Sequence, residues 1–290
     1  MHPAASIIAF TTLSGLGFGL IAWLGVGAAP DAGPLRALVL SGLAIGLVSS
    51  GLVASLLHLG QPTRFLKAFS QWRSSWLSRE AVLALATLAV FALYAALWLA
   101  GLRLLPLGVA ASCLALATVG ATSMIYAQMR SVPRWRSPLT PALFLLAALA
   151  GGALLADARD AAPWLLGGLG VAQLAAWGWG DRALARSGTT LATATGLGPL
   201  GRPRLLEPPH TGENYLLREM VHVVGRRHAP KLRLIGFTLA VLLPLALILA
   251  SSGGLARWIA ADVHIVGVVV LRWLFFAEAE HVVGLYYGRR

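Results

Sequence analysis

Residues 34–80 read PLRALVLSGLAIGLVSSGLVASLLHLGQPTRFLKAFSQWRSSWLSRE, and the chemistry changes at position 58. From Pro34 to His58 the only charge is Arg36. Such a run is long and apolar enough to cross hydrocarbon as a helix, which needs about 20 residues. Beyond it come Gly60, Pro62 and four cations, Arg64, Lys67, Arg73 and Arg79, before Glu80 opens a new apolar run. An apolar helix therefore reaches a basic membrane surface, turns there, and re-enters as a second helix. The turn brings His58 and Glu80 to the same surface.

The rest of the chain repeats this grammar. Apolar residues make up 58% and charged residues 12%, with mean hydropathy +0.75. Eight stretches of spanning length lie near 6–29, 34–58, 79–101, 104–127, 138–156, 163–180, 232–251 and 260–284. Within lipid every backbone polar group must be satisfied internally. The reading is an all-α integral membrane protein, a bundle of eight transmembrane helices forming one domain over 1–290. The first run differs from a signal peptide, because MHPAASIIAF carries no Lys or Arg and the run exceeds an h-region. Its GLGFGL (15–20) predicts close helix packing.

Only one cysteine, Cys113, is present. The chain thus has no set of thiolates for an iron–sulfur cluster or zinc site, and no internal disulfide. Walker, HExxH and GxSxG motifs are missing as well.

Net charge is +12, and its placement is lopsided. With eight spans, both termini and the loops after spans 2, 4 and 6 share one side, which holds 18 of the 23 Lys and Arg residues. The opposite loops hold Arg36, Arg103, Arg159 and Arg257, and Arg272 lies inside the last span. The positive-inside rule then places both termini, His58 and Glu80 on the cytoplasmic side of a bacterial inner membrane. These charges orient the chain on anionic lipid headgroups, and they also suit docking of a soluble protein. No nucleic-acid partner is expected.

The one long extramembrane loop, 181–231, begins irregularly with SGTTLATATGLGPLGRPRLLEPPH. It continues with a Thr211-capped segment whose Leu216, Leu217, Met220, Val221 and Val224 recur at helical spacing, opposite Arg218, Glu219, Arg226 and Arg227. That pattern predicts an amphipathic surface helix, either an interfacial anchor or a docking element.

A histidine and a carboxylate at the rim of a lipid-filled bundle are what a quinone site needs. Quinone chemistry moves two protons with two electrons, so the ring oxygens need a donor, an acceptor and a route to water. Each residue also has a structural reading. His58 precedes Gly60 and Pro62 as an ordinary helix end, and Glu80 follows Ser78 in a first turn that favours an acid. Arg272 needs a counter-ion or a wet cavity. Glu278 and Glu280 are the nearest acids in sequence, so a structural ion pair stands beside a role in proton or quinone handling. On these boundaries none of the seven histidines lies deep inside a span, which disfavours a bis-histidine b-haem, though His58 with His281 is a conceivable pair. A transporter is the other rival class; only a faint echo between QWRSSWLS and PRWRSPLT hints at the repeats typical of one.

Three motifs, SLLHLGQPTRF (55–65), SWLSRE (75–80) and VPRWRSPLTPALF (132–144), together with the eight-span layout, resemble the membrane-anchor subunits of the dimethyl sulfoxide reductase (DmsC-like) family. The resemblance implies an anchor that binds no haem or iron–sulfur cluster. Such an anchor exchanges electrons between ubiquinone or menaquinone and a four-cluster ferredoxin-like subunit, which serves a molybdopterin catalytic subunit. The family's quinol-site histidine and glutamate map by motif onto His58 and Glu80, with Gly60 and Arg64 in the site's wall. MHPA and GENYLLREM look closer to the anchor of quinone-linked sulfite dehydrogenase. That branch implies cytoplasmic sulfite oxidation feeding quinone, whereas a reductase anchor implies the reverse flow.

Overall fold

A computed structural model describes residues 2–29, 33–57, 61–207, 212, 214–215, 219–220, 224–251 and 253–287, which contain helices and no strand. The long helices are α1 (Ala5–Gly25), α2 (Pro34–Leu56), α3 (Trp76–Leu99), α4 (Leu105–Ala127), α5 (Leu139–Ala156), α6 (Ala162–Gly180), α7 (Ala229–Ala250) and α8 (Gly254–Ala277). Seven are long and apolar enough to cross a membrane. The exception is α6, whose Pro163, Gln173 and glycines dilute its apolar character. The eight expected stretches are thus all helices, and seven have spanning composition. The surface helix expected after Thr211 falls largely on residues outside the described set.

α1 forms the middle of the bundle. α1 packs against α2, α4, α5 and α8, and its Leu20, Ile21 and Leu24 are fully buried. Small residues permit this crowding. A Cβ at Gly19 would overlap the Ala148 backbone of α5, and one at Gly17 would lie 2.8 Å from the Val48 nitrogen of α2. Gly15 in the same GLGFGL motif has open space around it.

Two ion clusters mark the opposite ends of the bundle. At one end Asp157, just past α5, pairs with Arg36, Arg159 and Arg257. At the other, Asp181 just past α6 meets Arg134 and Arg233 at 2.5 Å each, and Glu278 just past α8 meets Arg233 at 2.6 Å. α5 therefore runs from the second end to the first, and α6 returns. The second end is the basic one.

The last helix begins and ends earlier than the expected 260–284. Arg257 fits inside it by reaching Asp157, and the chain leaves the helix at Glu278, whose carboxylate belongs to the basic-end cluster. The earlier start moves His264 to mid-helix, fully buried, which corrects the expectation that no histidine lies deep within a span. Pro244 explains its presence. A proline has no N–H to return to the carbonyl one turn back, here that of Ala240, within a widened segment Thr238–Leu242 of α7. His264 Nδ1 lies 2.6 Å from that oxygen and donates the missing hydrogen bond. Gly267, one turn along α8, allows the contact, because a Cβ there would collide with the Ala240 backbone.

Candidate functional site

Ser75 precedes α3, so Glu80 sits in its second turn instead of the dipole-favoured first turn that Ser78 suggested. Its carboxylate turns inward against α4 and is 4% exposed. The Thr122 hydroxyl hydrogen-bonds it, and the same hydroxyl lies 3.0 Å from the Thr118 carbonyl. One turn further from the basic end, the hydroxyls of Thr118 and Thr87 are 3.1 Å apart. A polar seam thus runs down the α3–α4 contact with Glu80 at its basic-end terminus. Among the described residues Glu80 has no cationic partner.

The Thr122 hydroxyl has one proton and two acceptors. With Glu80 ionised the proton goes to the carboxylate. With Glu80 protonated, the acid donates to Thr122 and Thr122 donates to the Thr118 carbonyl. Glu80 can therefore gain or lose a proton without leaving a buried polar atom unsatisfied, which would cost about 1–3 kcal/mol.

One turn beyond Thr122, Tyr126 lies within electrostatic reach of both Glu80 and Arg272. Around it pack Trp135, Phe144, Phe275 and Phe276, with ring centroids 5.3–5.7 Å from its own. The Trp135 indole N–H donates to the Phe275 carbonyl at 2.9 Å, tying the 130–138 loop to α8. Arg272 stacks its guanidinium 3.5 Å from the Phe144 ring centre and is 6% exposed. The acids expected to neutralise it are engaged elsewhere: Glu278 by Arg233 and Arg134, Glu280 by Arg226 at 2.9 Å. Thr122, Phe144 and Arg272 share a narrow, water-sized gap with Thr11 and Ser14 of α1.

Of the sequence candidates, His58 and Gly60 lie outside the described residues. Arg64 is exposed on the short helical segment Pro62–Phe69, and Glu80 and Arg272 are buried in one layer near the basic end. Sequence reasoning missed Thr118, Thr122 and Tyr126, although their i, i+4, i+8 spacing on α4 is a legible polar stripe. It also singled out neither Arg134 nor Arg233, counting both only within the basic face, and both are ion-pair partners of Asp181 and Glu278.

A model of the DMSO reductase anchor subunit (DmsC) family matches residues 1–161. The chain is also similar to a sulfite dehydrogenase subunit from Allochromatium vinosum, 34% identical over an alignment of 326 residues that covers 99% of each chain.

Proposed function

The chain belongs to the DMSO reductase anchor subunit family, and we propose that it is the quinone-exchanging membrane anchor of a cytoplasmic, sulfite-oxidising molybdoenzyme. The observation that carries this reading is Glu80: a buried carboxyl at the basic rim whose single hydroxyl partner serves it in either protonation state. A quinone bound there supplies two-electron, two-proton chemistry. Glu80 exchanges one proton. His58, supplied to the same rim by the connection between α2 and α3, hydrogen-bonds a ring carbonyl and exchanges the other. Arg64 and Gly60 belong to the wall, with Arg64 adding positive potential. The residues fit a neutral ring with carbonyl acceptors, because a permanently anionic ligand would face the Glu80 carboxylate.

In this reading a four-cluster ferredoxin-like subunit docks on the basic end. Exposed Arg64, Lys67, Arg73, Arg182 and Arg186 supply the complementary charge. A molybdopterin subunit sits beyond it and oxidises sulfite, the substrate class named for the relative. α6 acts as the eighth span, which its return to the basic end supports, and both termini then face the cytoplasm of a bacterial cell. The family's description favours a second reading, a quinol-oxidising anchor of an S- or N-oxide reductase.

His58→Ala tests the site: quinone-coupled turnover should collapse while dye-linked activity and assembly persist. Unchanged quinone kinetics would remove His58 from the mechanism. A reporter fused after Arg290 tests the topology. Green fluorescence without phosphatase activity supports the cytoplasmic sulfite oxidiser; phosphatase activity points to an exported reductase.

A further inference from the structure

A groove of about 590 Å³ lies at the end of the bundle opposite the basic one, between α2 and α8, with the last turn of α5 as its floor. Leu35, Val39 and Leu40 of α2, Leu154 and Leu155 of α5 and Trp258 of α8 make its walls apolar. Leu35, Val39 and Trp258 are exposed, so the groove opens towards lipid. Its volume is that of an ordinary small-molecule site. Arg36, Asp157 and Arg257 form its polar rim.

The charges at this rim do not balance. The loops at this end hold few cations, Arg36, Arg103, Arg159 and Arg257. Three of these converge on the carboxylate of Asp157: Arg257, Arg159 at 3.1 Å and Arg36 at 3.6 Å. Among the described residues, Asp160 and Asp262 pair with none of them. The cluster at the basic end, by contrast, sets Arg134 and Arg233 against both Asp181 and Glu278. Asp157 answers one guanidinium and leaves two positive charges beside an apolar groove. The Arg257 side chain is mostly buried, whereas those of Arg36 and Arg159 are 49% and 56% exposed and free to meet another acceptor. α2 and α8 both begin at the groove with neither a side-chain cap nor an acid in the first turn, which adds to the positive potential.

The rim therefore calls for an anion and the groove below it for hydrocarbon. A soluble anion meets only the first requirement, and a neutral ring only the second. A phospholipid meets both, and Trp258 stands where the two regions join, a level that indole rings favour in membranes. The surplus of positive charge selects a headgroup of net negative charge over a zwitterionic one. We propose that this groove binds an anionic glycerophospholipid from the leaflet at this end. Its phosphate is received by Arg36 and Arg257, and one acyl chain lies between α2 and α8. The site stands on the groove and the Asp157 cluster, and it holds whether or not Glu80 exchanges protons with a quinone.

The test places the full-length chain in nanodiscs of phosphatidylcholine. The probe is phosphatidylglycerol with a diazirine on one acyl chain near the glycerol, compared with the matching phosphatidylcholine, and the label is mapped by peptide. The anionic probe is expected to label residues 34–40 and 254–258 about tenfold more than the zwitterionic one. The exposed face of α6 around Trp164 and Val171 should take both alike. Arg36→Gln should raise the unlabelled phosphatidylglycerol needed for half displacement about tenfold, through loss of a charge-assisted hydrogen bond. Val39→Trp fills the groove from an exposed position, leaves every arginine in place, and should abolish the preference. Glu80→Gln should leave it unchanged. Equal labelling of 34–40 and 254–258 by the two probes overturns the proposal. So does a preference that survives Val39→Trp. Displacement by inorganic phosphate as readily as by phosphatidylglycerol assigns the arginines to a soluble anion, and displacement by a neutral prenylated quinone assigns the groove to a ring; either result overturns it.

Discussion

Thr122 turns its hydroxyl onto the Glu80 carboxylate across the α3–α4 contact. The pairing joins the candidate proton-exchanging acid to a helix that sequence motifs did not single out. Glu80→Gln keeps a hydrogen-bonding side chain of the same size and removes the exchangeable proton. Quinone-coupled turnover should fall about 100-fold, the scale of a lost acid–base group, with folding intact. Thr122→Val should cost about 1–3 kcal/mol by stranding Glu80 and should slow the same step, while Thr122→Ser should restore both. Thermal melting and quinone-reduction rates read the two effects separately; full turnover in Glu80→Gln would refute the acid's role.

His264 answers a deficit created by Pro244, and the two substitutions should not add. His264→Leu leaves the Ala240 carbonyl without its donor and should cost about 1–3 kcal/mol. In a Pro244→Ala background residue 244 regains an N–H, and the cost of losing His264 should shrink. A double-mutant cycle of melting temperatures measures the coupling. Strict additivity would show that His264 serves some other purpose.

Asp181 gives the basic end its pH dependence. Hydrogen bonds from Arg233, aided by Arg134 and opposed by burial, hold its carboxyl down to about 2 from the usual 3.8. A carboxyl depressed in the folded state stabilises the fold above its unfolded pKa and loses that contribution as pH falls through the folded one. The stability difference between the wild type and Asp181→Asn should therefore be constant from about pH 5 to 8 and vanish between about pH 4 and 2. Melting curves across that range check it.

Gly19 and Gly15 make a matched pair within one motif. Gly19→Ala drives a methyl into the Ala148 backbone and should sharply reduce the folded yield, whereas Gly15→Ala meets nothing within 4 Å. Equal membrane accumulation of both variants would contradict the α1–α5 contact.

Span positions were legible because a long apolar run leaves the backbone no alternative to a helix in lipid. The end of α8 was misjudged because hydropathy cannot see that Arg257 and Glu278 are neutralised by partners more than 40 residues away in sequence. Composition marked α6 as a span, yet its Gln173 is buried and its Gly170 admits Val241 and Phe237 of α7, which a hydropathy average scores as weakness. Glu80 could be nominated from its motif; Thr122 and Tyr126 showed only as a polar stripe with nothing in the sequence to say what it faces. Their importance comes from the side of α4 that meets α3 and α8, and that is decided by tertiary packing.

The central place of α1 has a consequence for biogenesis. This helix leaves the ribosome well before the surfaces that enclose it on α4, α5 and α8. Until then its Thr11, Thr12 and Ser14, all buried in the finished bundle, face lipid or the insertion machinery. The newborn chain must hold an unfinished centre open while the remainder is threaded around it. A nascent chain halted after α3 should accordingly be recognised as incomplete by membrane proteases, and one that has reached the end of α5 should begin to resist them.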